Sequence, residues 1–261
     1  MFHVKRSKND INKEVFMEKS LFFEKYRAVF EANGLEAYAT EPIMDKMHAM
    51  VSHMLEVNAH TNLTAITDWE EIIVKHLADC CLAFSYIPEG ARVLDVGCGG
   101  GFPCLPMAIA RPDLTVVGLD STGKKVDYVN ESAVLLGLSN LSAICGRAED
   151  LANTDLRESF DVATARAVAA LPVLCELCAP FVKVGGVFCA LKGAKTDEEV
   201  AASLRAAKTL SLALRESDLH RHSLKSPSGA GEERCIIVAK KGGKTDKKYP
   251  RPYAQIKKKP L

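Results

Sequence analysis

The sequence predicts an α/β fold built around a parallel, doubly wound sheet. From residue 92 onward, short apolar runs alternate with segments whose apolar residues recur at helical spacing. The first of these runs ends in a burst of glycine, RVLDVGCGGGFP at 92–103. Sheets of this class bind ligands at the carboxyl ends of their strands, where that loop would stand.

The elements follow in order. Residues 14–33 and 41–60 carry apolar positions at helical spacing, which predicts two helices before the sheet begins. Thr67-Asp68-Trp69-Glu70 reads as a capping box opening a helix to about Tyr86, and Pro88-Glu89-Gly90 ends it. Strands are expected at RVLDVG (92–97), TVVGLD (115–120), LSAICG (141–146), FDVATARA (160–167), GGVFCALKG (185–193) and RCIIVAKK (234–241). Between them, 124–137 places Val126, Val129, Ala133 and Leu136 on one helical face. Thr196-Asp197-Glu198-Glu199 reads as a second capping box, starting a helix to about Leu210. SPSGAGEE (226–233) reads as a polar turn. The expected organisation is a helical extension over 1–66, a sheet domain over 67–241 and a basic tail over 242–261.

Composition narrows the function classes. An apolar share of 48% is that of an ordinary globular chain. No uncharged apolar run reaches membrane-spanning length, and MFHVKRSKNDINKE lacks the apolar centre of a signal peptide. A reducing, cytoplasmic setting is expected, so Asn62-Leu63-Thr64 is not read as a glycosylation site. The nine cysteines are irregularly spaced, and the Cys175-Glu176-Leu177-Cys178 pair sits in an apolar segment. Free, buried thiols are expected there and no metal site. Residues 240–261 carry nine Lys or Arg and one Asp, +8 against +1 for the whole chain, which leaves −7 elsewhere. Such a tail is either a grip on a polyanion or a solvated, disordered end.

Three ligands compete for the glycine loop. A P-loop needs a lysine after the last glycine, and none stands there. The dinucleotide fingerprint fails in either register, at Phe102 or at Cys104, and Pro103 removes an N–H that a pyrophosphate would use. S-Adenosylmethionine has no phosphate; it needs close backbone approach, which Gly97, Gly99 and Gly101 allow, and a carboxylate for its ribose hydroxyls. Asp120 ends the second strand at the right place, and Glu149, past the third, is placed to frame the adenine. Asp95 would order the loop from within the first strand.

The motifs NLTAI (62–66), VKHLADC (74–80), DVGCGGGFPCLPMAI (95–109), RPDL (111–114), LDSTGKKVDYV (119–129), GRAED (146–150), ARA (165–167), ALKG (190–193), YPR (249–251) and the terminal KKKPL together resemble the RsmG (GidB) family. These are bacterial methyltransferases that make 7-methylguanosine in 16S ribosomal RNA. The resemblance implies a Rossmann-like class I S-adenosylmethionine-dependent methyltransferase with a mostly parallel seven-stranded sheet. By position, it implies cofactor contacts at Gly97, Phe102, Asp120, Ser121, Thr122, Ala148, Glu149 and Arg166. It also implies a monomeric partner of 16S rRNA and the small ribosomal subunit. The chain departs from the family at Cys104, where glycine is usual, at Cys80, usually serine, and at Val57, usually tryptophan.

Guanine N7 carries a lone pair and no proton, so its methylation is a direct displacement that needs no general base. No catalytic side chain is therefore assigned. Methylases of exocyclic amines carry an Asp/Asn-Pro-Pro-aromatic motif after the fourth strand; here Thr164-Ala165-Arg166-Ala167 stands instead. Arg166 is expected to bind the methionine carboxylate or an RNA phosphate. His76 reads as a buried, hydrogen-bonded histidine. Lys192, Arg251, Lys257, Lys258 and Lys259 are candidate RNA contacts, with Lys192 otherwise a solvated lysine. Phe102 and Tyr253 could stack on a base or simply pack. The rival readings are a nicotinamide-dependent oxidoreductase and a non-catalytic ribosome-binding protein.

Overall fold

The computed structural model describes residues 17–261 except 195, 228 and 230. The N-terminal segment read for a signal peptide, and residues 14–16 of the first expected helix, lie outside the described residues. Helix α1 (Lys19–Ala32) and α2 (Glu41–Thr61) precede the sheet. A third helix, α3, covers 69–81, with a π-helical stretch over Ile73–Ala78. Its cap is Asp68, whose carboxylate accepts the Glu71 N–H at 2.9 Å, one residue later than the expected Thr67.

The sheet strands are β1 (Arg92–Val96), β2 (Thr115–Asp120), β3 (Leu141–Cys145), β4 (Phe160–Arg166), β5 (Val182–Lys192), β6 (Leu219–Lys225) and β7 (Gly231–Lys240). Their order is β3-β2-β1-β4-β5-β7-β6. The first five pair in parallel; β7 runs antiparallel between β5 and β6. Six of the seven strands are those the apolar runs predict. The seventh, β6, reads LHRHSLK, and only Leu224 on it is buried, so it carried no apolar signal. It is an edge strand, with β7 as its one ladder partner, and the Asn33 side chain bonds the backbone of Lys225 at its end.

Period-two alternation sends Val93 and Val116 to one face of the sheet and Leu94 and Val117 to the other. The first face packs against α1, α2, α3, α4 (Cys104–Ala110) and α5 (Gly123–Leu135). The second packs against α6 (Ala148–Leu151), α7 (Leu171–Cys178), α8 (Thr196–Thr209) and α9 (Tyr253–Lys258). Phe22, Tyr26 and Met47 of the N-terminal helices are fully buried in the same cluster as Val93, so the core crosses the boundary expected at 66/67. Cys175 and Cys178 lie buried in α7 as free thiols, and burial pushes Cys175 up to about 12. No described helix is long and apolar enough to cross a membrane.

The tail is part of the fold, not a solvated end. Lys241 is fully buried and donates to Ala179 O at 2.6 Å and Thr245 Oγ1 at 2.6 Å. Arg157 donates to the carbonyls of Thr245, Asp246 and Tyr249 at 2.9–3.1 Å. Arg251 grips the fully buried Glu176 with Nε at 2.8 Å and Nη2 at 2.6 Å, and its N–H donates to the same carboxylate. Ile256 of α9 is fully buried. Removing Arg251 strands a buried carboxylate. Arg251→Ala should therefore lower unfolding stability by about 3 kcal/mol in urea titration, and Arg251→Lys, which keeps charge but loses the fork, by less. A stability equal to the unmodified protein's would mean the tail is not docked through Glu176.

Candidate functional site

A cleft of about 480 Å³ opens at the carboxyl ends of β3, β2, β1 and β4. Its floor is the glycine loop. The N–H groups of Gly97 and Cys98 both donate to Leu119 O, at 2.7 and 3.0 Å, tying the loop to β2. Gly97 stands at φ +77°, and a Cβ there would come within 2.5 Å of Val168 Cγ2. Gly101, at φ +86°, would drive a Cβ into Leu105. These positions need glycine both for backbone conformation and for space. Beneath the loop, the buried Asp95 accepts the Cys104 N–H at 3.2 Å and the Thr164 hydroxyl at 3.1 Å. Burial pushes its carboxyl up to about 7 against those two bonds. Asp95 orders the loop and does not line the cleft. Cys104, where the family usually has glycine, is fully buried, and its N–H completes the Asp95 bond.

Asp120 ends β2 at the cleft. Its Oδ2 accepts the Gly99 N–H at 3.0 Å and its Oδ1 the Thr122 N–H at 2.8 Å. A carboxylate has about four acceptor positions, so each oxygen keeps one free. Ser121 lines the cleft; Thr122 does not, and serves through its N–H. Past β3, Ala148 and Glu149 line the cleft, and the Glu149 carboxylate accepts Arg147 Nε at 2.6 Å.

At the β4 end stands Arg166. Its Nη1 donates to Asp79 Oδ2 at 2.7 Å and Lys75 O at 3.0 Å, and its Nη2 reaches His76 Nδ1 at 3.0 Å. Asp79 also holds Arg234 at 2.7 Å. Arg166 Nε is buried without a partner. So Arg166 is both a structural ion pair and a cleft residue whose buried Nε–H has no partner. His76 Nδ1 lies 3.0 Å from Arg166 Nη2 and 3.2 Å from Lys75 O, and its Nε2 lies 2.8 Å from Thr64 Oγ1. The ring stacks on Phe102 with centroids 4.5 Å apart. Burial, and then the Arg166 charge, pull the His76 pKa down to about 4.

Lys192 is outside the cleft lining. Its ammonium sits 2.6 Å from Glu199 and donates to Ala169 O, so it is neither solvated nor free for a phosphate. Glu199 itself accepts the Leu171 N–H at 2.7 Å at the start of α7, and so does not close a capping box on its own helix. Arg251 is committed to Glu176. Lys257, Lys258 and Lys259 are exposed and carry no ion pair among the described residues. Sequence reasoning assigned no site role to Leu63, Thr64 or Lys125, nor to Arg147; all line the cleft, as does Tyr253. Asn58 brings the first two there. Its Oδ1 accepts the N–H groups of Leu63 and Thr64 at 2.7 and 2.9 Å after Asn62 turns the chain at φ +51°. An Asn past a helix end is the local signal that was available.

The family model of GidB, described as rRNA small subunit methyltransferase G, matches residues 43–224. The chain belongs to the GidB family. Curated relatives agree. A Ribosomal RNA small subunit methyltransferase G of Clostridium perfringens is 39% identical over 246 residues, covering 92% of this chain and 99% of the relative. One of Exiguobacterium is 40% identical over 248 residues, 94% and 100% of the two chains. One of Lactobacillus delbrueckii is 42% identical over 213 residues, 80% and 87%. The crystal structure of the cyclase SpnF shares the fold, with a TM-score of 0.52 at 15% identity over 78% of this GidB chain and 98% of its own.

A low His76 pKa links stability to pH. The unfolded histidine binds a proton near its ordinary 6.5 and the folded one only near 4, so the native state loses ground as pH falls through that window. The stability difference between the unmodified protein and His76→Asn should shrink by up to about 3 kcal/mol between pH 7 and 4, read by urea titration at each pH. A difference that does not change with pH would mean that His76 takes up a proton in the fold.

Proposed function

We propose that this GidB chain transfers the methyl group of S-adenosylmethionine to N7 of a guanosine in 16S rRNA, in the cytoplasm and as a monomer. The observation that carries the reading is Asp120, fixed by the glycine loop and by Thr122 with one acceptor position open on each oxygen. That arrangement suits the two ribose hydroxyls. The cradle over Gly97 and the unpartnered Arg166 Nε suit the methionine end, whose carboxylate needs a donor. When bound, the cofactor supplies an electrophilic methyl group on sulfonium.

The chain's own residues then position and exclude water. His76 is held neutral by burial and by the Arg166 charge, and both its ring nitrogens are engaged by Arg166, Lys75 and Thr64, so it braces the wall and takes no proton from substrate. Asp95 is closed off behind the loop. A guanine N7, having no proton to lose, is the acceptor that this set of groups can serve. Lys257, Lys258 and Lys259, at the end of α9 and just beyond it, offer exposed positive charge, and RNA phosphate is its natural counterpart.

The decisive experiment uses labelled S-adenosylmethionine with small subunits from cells lacking the protein, followed by mapping of the label. Label in 7-methylguanosine of 16S rRNA supports the reading. Label on another atom sinks the N7 assignment, and no label favours a binding protein. Under single turnover the rate should stay nearly flat between about pH 6 and 9, and a tenfold rise per pH unit would require an essential base. Asp120→Ala should weaken S-adenosylmethionine roughly 10- to 100-fold by calorimetry. An unchanged dissociation constant would remove Asp120 from the cofactor site.

A further inference from the structure

Tyr253 lies in the basic tail, 87 residues after the last cleft strand ends at Arg166, yet its side chain lines the cleft. Its position along the cleft can be fixed from the sheet order. The carboxyl ends of β3, β2, β1 and β4 stand in a row, and so do their lining residues: Ala148 and Glu149, then Asp120, then the glycine loop, then Arg166. If the ribose sits at Asp120 and the methionine carboxylate at Arg166, the purine must lie toward β3. Tyr253 is at that end. The Arg147 guanidinium stands 5.2 Å from its ring centroid, and Arg147 Nε donates to Glu149 at 2.6 Å.

A purine presents a flat π-face and is held best between flat apolar surfaces. At the β3 end, Ala148 is one small apolar side chain, and the ring of Tyr253 is the large one. The helix that carries the ring is held in advance. Ile256, one turn further on α9, is fully buried, and the segment before α9 is fastened by Arg251 on Glu176 and by Arg157 on three carbonyls. A side chain fixed before the ligand arrives loses little freedom on binding. We propose that Tyr253 is a cofactor-binding residue that forms a wall of the adenine subsite, a role that rests on the S-adenosylmethionine reading above. The tail then belongs to the small-molecule site as well as carrying exposed lysines.

The test is calorimetry of S-adenosylmethionine on the full chain and on two variants. Tyr253→Leu keeps an apolar side chain on α9 but loses the aromatic face, and should raise the dissociation constant about 10-fold. Tyr253→Phe keeps the face and should stay within about twofold. The chain has six tyrosines, so in protein labelled with 3-fluorotyrosine the signal missing from Tyr253→Phe identifies this residue. That signal should shift when S-adenosylhomocysteine is added to the unmodified sequence, a response that a purely structural ring would not give and that needs no destabilising variant. An unmoved signal, or a Leu variant that binds as tightly as the original, overturns the assignment. Failure of the unmodified protein to bind S-adenosylmethionine would instead bring down the functional reading, and the assignment with it.

Discussion

The cleft depends on one buried carboxylate. Asp95 stands two residues before the glycine loop, and its two acceptor bonds reach Cys104, where the loop ends, and Thr164 on the neighbouring strand. Both ends of the loop are thereby fastened to the middle of the sheet. With the loop so placed, the Gly99 N–H meets one oxygen of Asp120 while the Thr122 N–H meets the other. Keeping a carboxyl group at 1% exposure is costly, and the rise of its pKa to about 7 records that cost. What it gains is a loop whose shape is set before any ligand arrives.

The cations divide into two populations that a count of charge does not separate. Arg166, Arg157, Arg251, Lys192 and Lys241 all turn inward, onto carboxylates, carbonyls or a hydroxyl. They join segments far apart in the chain, and each replaces its water with fixed partners. The second population is exposed, with Lys257, Lys258 and Lys259 as its clearest group. Of the nine basic residues that make the tail look like an arm, Lys241 and Arg251 are internal braces, and Lys248 pairs with Asp246 at 3.1 Å. The tail's charge is thus partly spent on holding the tail itself.

Local chemistry decided what the sequence disclosed. β1, β2 and β4, in the middle of the sheet, were legible because their buried faces force nearly continuous apolar runs, and β3, β5 and β7 because each keeps a buried apolar stretch. The loop and Asp120 were legible because their spacing follows from the strand–loop–strand geometry itself. Strand β6 was not, since only Leu224 on it is buried and it carries no apolar run. The capping box at Thr196 misled because Glu199, free to turn either way, caps α7 instead of its own helix. Leu63, Thr64 and Tyr253 reach the cleft through Asn58, Arg157 and Arg251, whose partners lie from a few residues to about ninety away. Periodicity carries no information about contacts of that kind.

The spread of the lining, from Leu63 to Tyr253, bears on how the molecule is made. A chain emerging from the ribosome presents its N-terminal part first, and the sheet strands can begin to pair while the rest is still being added. The cleft cannot close at that stage. Its most C-terminal lining residue, Tyr253, is carried by α9. A chain that extends past Asp120 but stops short of Tyr253 has the glycine floor and the carboxylate but lacks that lining residue. The complete lining therefore needs the chain from Leu63 through Tyr253, and a copy cut before Arg251 also lacks the clasp on Glu176.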